Sequence, residues 1–245
     1  MASPHGLAVI PSAGSRPEMP PAAPTPDLLR SLGRLVRGLS AVFWGLPASL
    51  VVCFHTARAE SLKSFMIVPP LVCTGLLVYG LWQMGSFQRQ ERVWRNTLDL
   101  SQVLALINFG LSPFLFWSNR IPGNTFMSNM VLLMIASALL FLGSLNLVLQ
   151  RLGAMLPDEG LRQETKQFSS LNLNLLFATF VIGAAYVALS KWPNPPLYWQ
   201  AVMLVLDHGS FWLLVLLVLL PMAMTMALLW KTKEVILDNV FSAKS

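Results

Sequence analysis

The sequence predicts an all-α polytopic membrane protein of six spanning helices. Three observations carry this: the composition, the spacing of the apolar segments and the alternation of the basic loops. Of 245 residues, 55% are apolar and only 11% charged, with a mean hydropathy of +0.60. Soluble domains carry about 25% charged residues, because a chain of this size must cover its outside with polar groups. A bilayer lifts that demand. It asks for stretches of roughly 20 apolar residues, since about 30 Å of hydrocarbon is crossed at 1.5 Å per residue.

Residues 1–27 hold seven of the 17 prolines, mixed with Ala and Ser. Such a segment neither builds a helix nor buries a face, so a disordered cytoplasmic tail is expected there. It lacks the basic start and compact apolar core of a signal peptide. The transmembrane domain then occupies residues 28–245. Asp27 is placed to cap a helix, and Arg30, Arg34 and Arg37 share one face of its first turns. Apolar segments follow at 38–55, 65–86, 98–117, 126–150, 171–190 and 203–230, pairing as hairpins 38–86, 98–150 and 171–230. Pro47, Pro69, Pro70, Pro113 and Pro221 fall inside these segments, so a kink or a missing hydrogen bond is expected at each.

Six crossings divide the 17 Lys and Arg as 13 on one side and 4 on the other, with the bias holding at every alternation. By the positive-inside rule both termini are cytoplasmic. Trp82, Trp94 and Trp230 fall at the inner boundary, and Trp117, Trp192, Tyr198 and Trp199 at the outer one, where aromatic rings favour the headgroup layer. The expected location is a bacterial cytoplasmic membrane. The net charge of +6 is the sum of these basic flanks and does not point to nucleic acid.

The last two hairpins read as a parallel tandem repeat, offset by 73 residues. Arg89, Gln90 and Glu91 match Arg162, Gln163 and Glu164. Leu98 and Leu100 match Leu171 and Leu173, with Asp99 facing Asn172. Ala105, Gly110, Pro122, Met130 and Leu133 match Ala178, Gly183, Pro195, Met203 and Leu206. The repeat motif reads first as packing and anchoring, with Gly110 and Gly183 admitting a neighbouring helix near mid-membrane. Its functional reading is a polar groove at the cytoplasmic edge, formed by Arg89, Glu91, Asp99, Arg162, Glu164 and Asn172. Such a groove would hold a lipid headgroup, an ion or a partner loop.

Catalytic patterns are missing. There is no nucleophile elbow, no His-Glu-x-x-His, no P-loop and no dinucleotide glycine pattern. Deep ionisable residues, the mark of ion and proton pathways, do not occur inside the segments. Cys53 and Cys73 lack metal-ligand spacing and read as small hydrophobes. His55 and His208, with Asp207 beside the latter, are weak candidates for a haem, quinone or metal at the outer face. No cofactor is expected otherwise. The leading expectation is a non-enzymatic membrane subunit or scaffold, whose partners are the bilayer and other membrane subunits. Two alternatives follow: a small transporter or lipid-handling protein with a polar groove between hairpins, and a haem or quinone electron carrier.

Overall fold

A computed structural model describes residues 26–58, 67–87, 91–155, 159–190, 196 and 217–238. All the regular elements among these are helices: α1 (Pro26–Arg58), α2 (Val68–Met84), α3 (Arg92–Leu111), α4 (Pro113–Arg120), α5 (Thr125–Met155), α6 (Glu159–Ser190) and α7 (217–238). Among the described residues four apolar stretches are long enough to cross a membrane: Arg30–Ala57, Arg92–Arg120, Thr125–Met155 and Arg162–Leu189. The shorter α2 is apolar but below that length. The expected tail lies outside the described residues, apart from its last two, as do 203–216 of the sixth segment.

The helices begin and end where backbone chemistry dictates. Pro26 opens α1, which puts Asp27 inside the first turn rather than at the cap. Pro69 and Pro70 sit in the first turn of α2, where the missing N–H would have had no partner anyway. Their expected kink therefore does not arise. Pro113 does break its segment. It cannot donate to the Phe109 carbonyl, which Ser112 meets instead through its Oγ at 2.9 Å. The third segment is thus two helices, α3 and α4. Helix α5 runs on to Met155 and α6 begins at Glu159, so helix takes up most of the expected inner loop on both sides.

One apolar core joins five helices. It comprises Leu35, Leu39, Val42 and Leu46 of α1, Leu77, Leu81 and Met84 of α2, and Trp94, Leu98 and Ala105 of α3. Phe141, Leu145, Val148, Leu149 and Leu152 come from α5, and Leu228, Leu229 and Ile236 from α7. The closest approach is between α1 and α2. A Cβ at Gly38 would lie 2.6 Å from the Gly80 carbonyl oxygen, and one at Gly80 3.0 Å from the Gly38 oxygen. At Gly110 and Gly183, by contrast, an added Cβ would meet nothing within 4 Å among the described residues. The tightest small-residue contact that lets helices close up therefore lies in the first hairpin, and not at Gly110 or Gly183.

The 73-residue match does not pair equivalent faces. Leu98 is buried while Leu171 is 57% exposed, and Asp99 is solvent-facing while Asn172 is fully buried. The buried stripes themselves are Trp94, Leu98, Ser101, Ala105 and Asn108 on α3, and Thr165, Ser169, Asn172, Leu176 and Thr179 on α6. Their spacings agree at an offset of 71. Two residues turn a helix by about 200°, so the matched positions face opposite ways. The tertiary packing buries the two helices in a register offset by 71 residues rather than 73.

Candidate functional site

Two polar features stand out, a groove beside α2 and α3 and a buried seam between α5, α6 and α7. The groove encloses about 890 Å³. Helices α2 and α3 are antiparallel, so their residues order it from end to end. Gly75, Val78, Leu106 and Phe109 make an apolar end, where the Phe109 ring closes over Gly75. Gln83, Ser86, Arg95, Asp99 and Gln102 make a polar end, joined by Arg34 from α1. Tyr79 and Trp82 flank it.

Local helix geometry positions these groups. Arg95 and Asp99 are one turn apart and pair at 3.8 Å, both largely exposed. Gln102 Nε2 donates to the Leu81 carbonyl at 3.1 Å, tying α3 to α2, and Gln83 Nε2 donates to Tyr79 Oη at 2.8 Å. Trp94 differs from its expected role as a headgroup anchor. It is 1% exposed, packs edge-on to Phe87, and lines the groove. Its Nε1–H has no hydrogen-bond partner among the described residues. A buried donor left unmatched costs about 1–3 kcal/mol, so a group that accepts from it is favoured there. Trp82 and Trp230, at 77% and 56% exposure, do face outward.

The seam is polar without charge. Thr225 Oγ1 on α7 donates to the Pro221 carbonyl at 2.8 Å and accepts from Asn146 Nδ2 at 3.2 Å and Asn172 Nδ2 at 2.9 Å. Asn172 Nδ2 also donates to Pro221 O at 3.2 Å. One turn further along, Pro221 offers no N–H to the Leu217 carbonyl, and Thr179 Oγ1 lies 3.3 Å from that oxygen. In the other direction Thr165, Ser169 and Thr232 are buried, and Gly153 lets α5 approach Thr165. Asn146 Oδ1, Asn172 Oδ1, Thr165 Oγ1, Ser169 Oγ and Thr232 Oγ1 have no partner among the described residues. Glu164 and Lys231, both half-exposed, pair at that end of the seam.

The candidate residues read from the sequence therefore divide. Asp99 lines the groove. Glu91 stands before α3, where its backbone carbonyl accepts from Arg95 N. Glu164 and Asn172 belong to the seam, and Arg162 is exposed beside it. Arg89 and His208 lie outside the described residues. His55 is exposed on α1 next to Phe54, and Cys53 and Cys73 are free thiols. Among the described residues no three His, Cys, Asp or Glu side chains come together. The sequence did not mark Arg34, Gln102, Trp94, Asn146, Ser169 and Thr225 as site residues. Asn146 and Thr225 are polar positions inside apolar runs, a usable signal, whereas nothing local marks Trp94 as a groove wall. No protein-family model, no curated protein and no solved structure matches this chain.

Proposed function

We propose that the protein is a non-enzymatic integral membrane protein that binds a phospholipid in the groove between α2 and α3. The apolar helices are its spanning segments, six in number with residues 203–230 as the last. The basic end that holds Arg34 and Arg95 faces the cytoplasm of a bacterial inner membrane. The single observation behind the ligand is the groove's gradient. Two guanidinium groups occupy one end beside Trp94, and an aliphatic and aromatic cleft occupies the other. Guanidinium groups match phosphate oxygens, and the apolar end matches the start of an acyl chain. Asp99 and Trp82 add a carboxylate and an aromatic face suited to an ammonium headgroup. This favours the lipid-handling expectation over the assembly subunit.

The test is native mass spectrometry of the full chain released from detergent, with bound phospholipid counted. Wild type is expected to retain phospholipid. The combined change Arg34→Ala and Trp94→Phe is expected to lower occupancy about tenfold, the equivalent of one strong charge-assisted contact. Equal occupancy in the variant would return the chain to the assembly-subunit reading.

A further inference from the structure

We infer that the seam between α5, α6 and α7 binds a dehydrated monovalent cation, held by Asn146 Oδ1, Asn172 Oδ1 and Ser169 Oγ. Thr225 fixes which end of each amide is free. Its hydroxyl has one proton and two acceptor sites. The proton goes to Pro221 O, so both asparagines must present N–H groups to it. Their oxygens are thereby left over, buried and without a partner among the described residues. Two buried carbonyl oxygens tethered to one hydroxyl call for a cation or a donor.

The hydroxyls agree. Thr56, Thr74, Ser101, Ser112, Ser137, Ser144, Thr179 and Thr225 are also buried, and each lies within hydrogen-bond distance of a carbonyl three or four residues back in its own chain. Thr165, Ser169 and Thr232 make no such bond with any described residue. Serine and threonine ordinarily back-bond when nothing else engages them in a helix, so three that do not, on one seam, mark a polar track. The track runs from the Glu164–Lys231 pair, adjacent in sequence to Thr165 and Thr232, through Ser169 to Asn172.

The donor set selects the ion class. Transition metals need thiolate, imidazole or carboxylate ligands, and divalent cations need carboxylate charge to offset their dehydration. Neither is present among these side chains. Anions would meet oxygen lone pairs. Neutral carbonyl and hydroxyl oxygens replace the hydration shell of a monovalent cation, the arrangement that ion filters and proline-broken transporter helices use. Pro221 leaves the Leu217 carbonyl without a helical N–H beside this seam, although α7 runs on through it.

The experiment is thermal unfolding of the full chain in detergent, in NaCl, KCl or choline chloride at one ionic strength. The expected result is a melting temperature that rises by about 3 °C or more with NaCl and saturates, as mass action on a native-state site requires. Ser169→Ala removes a hydroxyl that bonds to no described residue. It is expected to melt at or above the wild-type temperature in choline while needing at least about tenfold more sodium for the same rise. Thr225→Ser keeps the hydroxyl and is expected to keep the response, which Thr225→Val loses. Equal melting temperatures in the three salts, as a dry or water-filled seam would give, overturn the inference. So does a sodium response undiminished in Ser169→Ala.

Discussion

Replacing Gly38 by alanine tests the closest packing among the described helices. The added methyl would sit 2.6 Å from the Gly80 carbonyl oxygen, 2.7 Å from Met84 Cγ and 3.2 Å from Met84 N. Carbon contacts are most favourable near 3.5–4.0 Å, so the gap must widen by roughly 1 Å. Met84 can swing part of the way, but the Gly80 oxygen and Met84 nitrogen are backbone atoms. Helix α1 must therefore lift from α2 across Leu35, Leu39 and Val42, all fully buried. Overpacking of this kind costs about 1–3 kcal/mol, which for a chain of this length lowers the melting temperature by roughly 2–12 °C. The controls are Gly33→Ala and Gly110→Ala, where the methyl meets nothing within 4 Å among the described residues. At those helical positions alanine is expected to stabilise by about 0.5–1 kcal/mol. Thermal unfolding of the purified protein, followed by tryptophan fluorescence, reads all three. If Gly38→Ala melts with the wild type, or Gly110→Ala falls as far, the α1–α2 contact is not what closes this hairpin.

Ser137→Ala leaves Asn108 Oδ1 without its 2.8 Å donor on α5. A double-mutant cycle with Asn108→Leu is expected to show coupling of about 0.6–1.7 kcal/mol, the range for interhelical hydrogen bonds in membranes; no coupling would mean the pair is incidental. Glu164→Gln and Lys231→Met each break a half-exposed ion pair and are expected to change stability by less than about 1 kcal/mol. A larger loss in chemical or thermal unfolding would show that the pair is screened from water.

The two halves of the bundle use the same device without sharing a sequence. Helices α3 and α5 are bridged by Ser101–Ser144 and Asn108–Ser137, seven residues apart on each helix. Helices α6 and α7 are bridged at Asn172–Thr225 and again, seven residues on along α6, at Thr179 and the Leu217 carbonyl. Seven residues is two helical turns, so each bridge lies on the same face as the last. Neutral side chains suit this place, because they tie helices together without the desolvation cost of a charge.

By itself the sequence determined that the described chain is helical, and where four long apolar helical stretches of it run. Both follow from local properties: apolar runs set the segments, and prolines set the start of α2 and the break at Ser112–Pro113. It also marked Asp99, Glu164 and Asn172 as polar positions worth following. Only the tertiary structure decided what those positions face. A shift of two residues carries a helical side chain to the opposite side, so a repeat read along the chain placed Asp99 and Asn172 together when packing sets one on a groove and the other inside a seam. Trp94 illustrates the same limit. Arg92 and Arg95 close by in sequence suggest a headgroup anchor, but the ring packs edge-on to Phe87 within the apolar core and its residue lines the groove.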